Sequence, residues 1–174
     1  MRRQKSVGTD WAAAPQIGWS YMHIREIRQC PQFAGCVADR IWRAWWKDKG
    51  AGIEVVTALV RQNLVSEASQ PFCLVAHHEE MFLGTVSVIA SDVAARPALT
   101  PWVAALWVEP ASRGRGTATA LLQAAVVRAR ALGERRLFLH CADRMAGFYE
   151  ARGWVLFERD APAPGMHIRV RMLA

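Results

Sequence analysis

The strongest constraint on the fold is a change of pattern near residue 110. Residues 102–108 (WVAALWV) form a nearly continuous apolar run, which is typical of a strand buried on both faces. Glu109 and Pro110 end this run, and residues 112–117 (SRGRGT) lead into an uninterrupted helical pattern that reaches about Leu132. The sequence therefore predicts a central strand, a glycine-rich turn and a helix in direct succession.

This turn has the chemistry of an anion site. Gly114 and Gly116 lack the side chains that would keep a ligand away from the backbone, and the first turn of the helix leaves its N–H groups unpaired. Arg113 and Arg115 add positive charge beside the helix dipole, so we expect the turn to hold a pyrophosphate. Two isolated glycines before a helix would be explained equally well by a tight turn. The segment lacks the Lys-Ser/Thr ending of a P-loop and the third glycine of a dinucleotide fingerprint, which disfavours nucleotide hydrolysis and hydride transfer.

Hydrophobic periodicity and turn residues predict the other elements. Helical spacing indicates helices over residues 33–46, 53–68 and 143–152, the last of them capped by Asp143. Apolar or alternating runs indicate strands over residues 17–28, 72–76, 82–90, 136–141, 154–159 and 166–173. The polar residues 77–80 (HHEE) are expected to form a hairpin turn. This order predicts a mixed α/β fold of the α+β type, with a largely antiparallel sheet and helices packed on it.

Two motifs in this order resemble those of one superfamily. Residues 106–118 are similar to the acyl-CoA pyrophosphate motif R-x-x-G-x-G/A of the GNAT superfamily of N-acyltransferases, with Arg113, Gly116 and Ala118 at its defining positions. Residues 148–154 (FYEARGW) resemble that superfamily's (L/F)-Y-E-x-x-G-(F/W) signature. The resemblance implies the GNAT fold, a mostly antiparallel sheet of six to seven strands with helices on both faces. It covers a single domain over residues 16–174, which follows an N-terminal extension of residues 1–15.

The resemblance also implies a reaction. Acetyl-CoA would be the cosubstrate, and an amine would attack its thioester directly in a ternary complex. Leu106 would offer an N–H to the acetyl carbonyl, and Tyr149 would protonate the leaving CoA thiolate. The residues expected to bind the cofactor lie on the central strand and in the turn: Leu106, Trp107, Val108, Arg113, Gly114, Arg115, Gly116, Thr117, Ala118 and Thr119.

Some positions depart from the family pattern. Ala142 stands where many members have an asparagine seven residues before the tyrosine, so one contact to CoA is missing. No glutamate occupies the start of the central strand, which leaves Glu109 and Asp92 as the nearest acidic residues. We assign the general base to Glu109, although either carboxylate is also explained as an ordinary surface group. Many members deprotonate the amine through water.

Composition limits the partners. The excess of 22 Lys and Arg over 15 Asp and Glu gives a net charge of +7 and favours anionic ligands. The basic residues are spread along the chain rather than interleaved with aromatics, so we expect no nucleic-acid partner. No apolar run is long enough to span a bilayer, and the four cysteines lack metal or disulfide spacing. We therefore predict a cytoplasmic protein without a membrane partner or a bound metal, and a homodimer is possible.

Two further groups of residues have competing interpretations. His77 and His78 are adjacent and point apart in a hairpin, which makes them turn residues rather than a base or a metal pair. Trp42, Trp45 and Trp46 are explained by helix packing, although one of them could line the acceptor groove. The alternative to an enzyme is a non-catalytic acyl-CoA-binding sensor or interaction module, and a third interpretation is a basic nucleic-acid-binding protein, which would bind DNA with a steep salt dependence.

Overall fold

The computed structural model describes residues 22–65 and 70–173. The predicted N-terminal extension, the beginning of the predicted first strand at Ile17–Tyr21 and the predicted end of the second helix at residues 66–68 lie outside these ranges. Within them the order of elements is strand, two helices, three strands, helix, strand, helix and two strands, as the sequence predicts.

The elements have the following bounds. The helices are α1 (Ala34–Ile41), α2 (Ile53–Val65), α3 (Thr117–Ala131) and α4 (Ala146–Glu150). The strands are β1 (His23–Glu26), β2 (Phe72–His78), β3 (Met81–Ile89), β4 (Trp102–Val108), β5 (Arg136–Ala142), β6 (Val155–Glu158) and β7 (Met166–Met172). Short 3₁₀ or π turns flank α1, β4 and α4.

All seven strands form one sheet in the order β1-β2-β3-β4-β5-β7-β6. Every neighbouring pair is antiparallel except β4 and β5, which run parallel. The parallel pair meets only where Trp102 lies opposite Phe138, and the Phe138 N–H donates to the Pro101 carbonyl over 2.9 Å. Beyond this point β4 and β5 separate, which leaves a gap in the middle of the sheet.

The helices cover both faces of the sheet. Leu74 and Ala76 of β2 belong to a core cluster that includes the buried side of α3 and the Tyr149 ring of α4. Cys73 and Val75, which alternate with them, belong to a second cluster that includes the buried sides of α1 and α2. A strand that is buried on both faces in this way explains why β2 reads as a continuous apolar run.

The first strand and the first helix are shorter than predicted. Ile27–Gln29, inside the predicted strand, forms a 3₁₀ turn in which Ile27 is fully buried. The predicted helix over residues 33–46 is α-helical only to Ile41 and continues as a π turn over Trp42–Trp46. Hydrophobic spacing does not distinguish the slightly wider π turn from an α-helix, so the sequence pattern could not reveal the change.

Two predictions about polar residues were wrong. His77 and His78 belong to β2, and the hairpin turn is limited to Glu79 and Glu80. The His77 ring is buried 5.1 Å from the ring of Phe33, and this packing keeps a polar residue in the strand. Asp143 does not cap a helix, because its carboxylate instead pairs with the ring of His167 on β7.

The four cysteines are free thiols. Among the described residues, no helix is both long and apolar enough to cross a membrane.

Candidate active site

The gap in the sheet is next to a β-bulge in β4. The pairing with β3 changes register between Thr85, which lies opposite Trp107, and Ser87, which lies opposite Ala104. Ala105 and Leu106 therefore share one partner position, and Ala105 takes a φ of +52°, a value that is uncommon for a residue with a side chain. A bulge turns backbone groups out of the regular ladder, so it offers main-chain donors where β4 faces the gap.

Gly84 allows the chain to pack tightly at this bulge. A Cβ atom at Gly84 would lie 2.6 Å from the Trp107 carbonyl oxygen and 3.2 Å from a methyl carbon of Leu121. A side chain here would push β3 away from β4, or α3 away from the sheet. The absence of a side chain therefore helps to hold the start of α3 directly against the end of β4.

The turn after β4 presents the backbone of α3. Gly114 has a φ of +69° and Gly116 a φ of +85°, both in the left-handed region where glycine has no steric penalty. The Gly116 carbonyl accepts the first hydrogen bond of the helix from the Ala120 N–H over 2.9 Å. The N–H groups of Thr117, Ala118 and Thr119 donate to no other group in the described parts of the chain, and the helix dipole adds partial positive charge at the same place.

These amides border a cleft of about 350 Å³. It is lined by Val108, Ser112, Arg113, Gly114, Gly116, Thr117, Ala118, Thr119, Phe148 and Arg152. Most of the residues that the sequence predicts for cofactor binding are thus brought together. Leu106 and Trp107 precede Val108 on β4, and Arg115 is exposed within the same turn.

The side chain of Arg113 stabilises the turn through contacts with β4. Its Nε donates to the Val108 carbonyl over 3.0 Å, and its guanidinium carbon lies 5.1 Å from the centre of the Trp107 ring. The side chain therefore folds back over β4 and keeps its charge beside the cleft. An arginine at this position supports both the shape of the turn and its positive potential.

Sequence reasoning missed Arg152. Its guanidinium lies 3.8 Å from the centre of the Phe148 ring, and its Nε and Nη2 donate to the Thr119 hydroxyl over 2.9 and 2.7 Å. A third bond, 2.6 Å long, joins Nη1 to the Phe148 carbonyl. Arg152 occupies a variable position of the second motif, so nothing in the local pattern indicates that it reaches the cleft.

Tyr149 lies where β4 and β5 have separated. It is only 9% exposed, it shares a core cluster with Val108 and Cys141, and its ring packs edge-on against Trp154 at 6.3 Å. Burial, and to a lesser extent the nearby Cys141, raises the pKa of Tyr149 to about 12. In the described part of the chain its hydroxyl has no hydrogen-bond partner, and the phenol is protonated at neutral pH.

The two acidic candidates are held by basic partners. Glu109 Oε1 accepts from Arg40 Nε over 2.5 Å, which joins the end of β4 to α1. Asp92 Oδ2 lies 3.0 Å from Nε2 of His140 on β5. Neither contact connects a carboxylate to Tyr149, so the assignment of Glu109 as the base stays a prediction.

Two tryptophans, one in the π turn after α1 and one on β4, lie together. The rings of Trp45 and Trp107 are 6.3 Å apart and nearly perpendicular, and Trp45 is 40% exposed. Such edge-to-face pairs are favourable and leave an aromatic surface open. Trp45 thus forms part of a surface that connects the π turn after α1 to the strand bordering the gap.

Cys141 is poorly suited to form an acyl intermediate. It is 6% exposed, and burial raises the pKa of its thiol above the usual value despite the nearby Arg169. Because the thiolate is the nucleophile, this environment disfavours attack by sulfur at neutral pH. Within the described ranges, no cluster of three or more His, Cys, Asp and Glu side chains is arranged to hold a metal ion.

Solved structures share this architecture. The GNAT domain of S. lividans PAT has a TM-score of 0.70 at 19% identity, over 95% of this chain and 98% of that one. An aminoglycoside 6'-N-acetyltransferase complexed with coenzyme A has a TM-score of 0.68 at 14% identity, with 87% and 97% of the two chains covered. The yncA protein of Salmonella typhimurium, with its cofactor acetyl-CoA, has a TM-score of 0.65 at 15% identity, with 89% and 95% covered. These likenesses confirm the predicted fold.

The sequence comparison identifies the family. No curated protein sequence matches this chain. The model of the Acetyltransferase (GNAT) family matches residues 38–154, a range that includes β4, the glycine turn, α3 and α4. Because this match spans well over half of the sequence and contains the whole cleft, the chain belongs to the GNAT family of acetyltransferases.

Proposed function

We propose that this acetyltransferase takes its acetyl group from acetyl-CoA and transfers it to an amine of a small molecule or peptide. The observation that carries the proposal is the cleft at the start of α3, where the amides of Thr117, Ala118 and Thr119 lack partners among the described residues. Glycines make these amides reachable, and a pyrophosphate suits such an array of donors. Two structural neighbours, solved with coenzyme A and with acetyl-CoA, are consistent with this cofactor.

The thioester end of the cofactor would lie in the gap between β4 and β5. A pantetheine arm has amides that pair with strand backbone, and the separation of the strands beyond Trp102 leaves room for it. The Leu106 N–H, next to the bulge, would donate to the acetyl carbonyl oxygen. Negative charge develops on that oxygen during attack, so a fixed donor there favours the transition state over the bound substrate.

The chemical step would be direct acyl transfer. The lone pair of the neutral amine attacks the thioester carbonyl carbon, and collapse of the tetrahedral intermediate breaks the carbon–sulfur bond. Tyr149 donates its proton to the departing CoA thiolate, and Glu109 accepts the proton that the amine loses. The ion pair with Arg40 keeps the Glu109 carboxylate at the end of β4. The Tyr149 phenol is in its acid form at neutral pH, as a proton donor must be.

A non-catalytic acyl-CoA-binding module is the second candidate. Two observations favour it: Ala142 replaces a side chain that contacts CoA in many family members, and the Tyr149 hydroxyl has no partner that would fix its direction among the described residues. Such a protein would keep the cleft and bind the cofactor without turnover. A homodimer stays a prediction, which the mass of the protein in solution would test.

One experiment separates the candidates. The protein is incubated with acetyl-CoA and a panel of polyamines, aminoglycosides, amino acids and peptides, while release of free thiol is measured. Acetyl-CoA binding is measured in parallel by titration calorimetry. We expect thiol release with at least one amine. Binding without turnover on any amine supports the non-catalytic module, and absence of binding refutes both.

A further inference from the structure

Asp92 is a partly buried carboxylate whose partner, among the described residues, is a histidine rather than a lysine or an arginine. Its Oδ2 lies 3.0 Å from Nε2 of His140, and the two side chains are 28% and 27% exposed. The other carboxylates of similar burial form ion pairs with arginines: Glu26 with Arg128, Asp39 with Arg43, Glu109 with Arg40, and Glu158 with Arg96.

The His140 ring does not neutralise the charge of Asp92. Its Nδ1 is buried and has no hydrogen-bond partner among the described residues. A doubly protonated ring would place an N–H there without an acceptor, which is costly in a buried position. The ring therefore carries one hydrogen, on the nitrogen that faces Asp92. The carboxylate keeps its negative charge, and its second oxygen, Oδ1, has no partner within the described ranges.

Both residues lie where β4 and β5 separate. Leu139 and Cys141 of β5 belong to the core cluster under α3 and α4. Phe138 and His140 alternate with them, so they face the other side of the sheet. Phe138 lies opposite Trp102 in the pair that joins the two strands, and the rings of His140 and Trp102 are 6.4 Å apart. His140 is therefore the first residue on that side beyond the pair, at the closed end of the gap.

The segment between β3 and β4 holds Asp92 in this place. Val93, the next residue, is buried and belongs to a core cluster with Trp102. Arg96 of the same segment forms an ion pair with Glu158 of β6. Because the segment is anchored on both sides, the carboxylate is held in position before a ligand arrives. A preorganised group of this kind binds a cation at a lower entropic cost.

The distance from the proposed thioester site indicates which part of an acceptor Asp92 can contact. This step rests on the proposed function, in which the acetyl carbonyl lies at the Leu106 N–H. Counted from the pair at Trp102, His140 is level with Ala104, and Leu106 lies about 5 to 7 Å further along β4. The carboxylate lies beside the His140 ring, so it is outside hydrogen-bond distance of the reacting nitrogen.

We propose that the acceptor is a linear aliphatic amine with a second ammonium group, and that this second group binds Asp92. The cofactor would occupy the α3 and α4 side of the gap, so the acceptor approaches from the side of His140 and Asp92. Oδ1 accepts a charge-assisted hydrogen bond from the distant ammonium group, while the other, neutral amine attacks the thioester. At about 1.25 Å per bond in an extended chain, about four to six carbon atoms separate the two nitrogens.

Steady-state kinetics with pentane-1,5-diamine and pentan-1-amine test this site. We expect kcat/KM to be about ten-fold higher for the diamine, the gain expected from one charge-assisted contact. Asp92→Asn removes the preference by raising KM for the diamine, with kcat within about three-fold, and Asp92→Glu keeps part of it because the charge is retained. Glu80→Gln is the matched control, since it removes an equal charge from the exposed hairpin turn at the other end of β3; its preference stays at the unmodified value.

The outcomes distinguish the two proposals. Equal kcat/KM for both amines in the unmodified protein, or turnover restricted to amines without a second positive charge, overturns the Asp92 site and leaves the proposed function intact. This comparison needs no variant, so it decides the point even if Asp92→Asn does not fold. An unchanged preference in a folded Asp92→Asn protein overturns the role of Asp92.

Absence of thiol release with every amine overturns the proposed function. Titration of pentane-1,5-diamine into the CoA-loaded protein then decides on the Asp92 site, because calorimetry needs no turnover. About ten-fold weaker binding by Asp92→Asn than by the unmodified protein supports the site. Equal binding by the two proteins, or no binding by either, overturns it.

Discussion

Replacement of Tyr149 by phenylalanine separates the chemistry of its hydroxyl from the packing of its ring. The ring is buried against Trp154 and Phe148, and phenylalanine keeps those contacts. The hydroxyl has no hydrogen-bond partner among residues 22–65 and 70–173, so its removal leaves no described group unpaired. We expect Tyr149→Phe to fold normally and to bind acetyl-CoA like the unmodified protein. Loss of a general acid should lower kcat about 100-fold.

The elevated pKa of Tyr149 determines how strongly the stability of the folded protein depends on pH. A rise from 10.0 to about 12 corresponds to roughly 3 kcal/mol against ionisation in the folded state. The folded pKa lies above the unfolded one, so the stabilisation is complete below pH 10 and is lost as the pH rises toward 12. Between these values the unmodified protein should lose up to about 3 kcal/mol of stability that Tyr149→Phe does not lose.

Two assays check these expectations. Thiol release with an accepted amine is followed from pH 7 to pH 10, where Tyr149 stays protonated and should cause no alkaline loss of kcat. Urea unfolding of both proteins is measured at pH 8 and at pH 11. An unchanged kcat in Tyr149→Phe would refute the general-acid role. An equal loss of stability in both proteins at pH 11 would refute the argument from burial.

Three shorter predictions concern neighbouring positions. Gly84→Ala should lower the free energy of unfolding by about 2 kcal/mol, because the new Cβ would lie 2.6 Å from the Trp107 carbonyl oxygen. Urea titration measures this loss, and a value below about 0.5 kcal/mol would contradict the tight packing at the bulge. Cys141→Ser should retain kcat within about three-fold, since the proposed direct attack forms no covalent acyl-enzyme; a hundred-fold loss in steady-state assays would indicate a cysteine nucleophile. Glu109→Gln should lower kcat about 100-fold at neutral pH, whereas Asp92→Asn should not; equal rates in both variants would remove Glu109 as the base.

The sequence predicts the architecture well because each element carries its own pattern. The apolar run of β4 and the periodic spacing of α3 determine those elements, and Gly133, with a φ of +87°, ends the helix where glycine is expected. The cleft at the start of α3 was predictable because glycines, a helix start and arginines are adjacent in the chain. Local chemistry of this kind does not depend on distant contacts.

The features that the sequence did not predict depend on contacts between residues that are far apart in the chain. The bulge at Ala105 arises from the pairing of β4 with β3, and its sequence contains no glycine to indicate a positive φ. Arg152 reaches Thr119 only because α4 packs beside α3, 33 residues away in the sequence. His77 stays in β2 because Phe33 covers its ring. In each case tertiary packing overrides the local preference.

In the proposed function, the backbone at the start of α3 holds the pyrophosphate of acetyl-CoA. Gly116→Asp places a carboxylate beside the N–H groups of Ala118 and Thr119, where it would accept their hydrogen bonds and repel phosphate. Gly133→Asp is the matched control, because Gly133 has a similar φ of +87°, against +85° for Gly116, and lies at the other end of α3. Both variants carry the same left-handed strain and the same added charge.

Titration calorimetry with acetyl-CoA therefore measures whether the N–H groups at the start of α3 hold the pyrophosphate. We expect Gly116→Asp to bind at least about 100-fold more weakly than the unmodified protein, a loss of about 3 kcal/mol, and Gly133→Asp to bind within about three-fold of it. Equal affinity of the two folded variants for acetyl-CoA would contradict a pyrophosphate site at the start of α3.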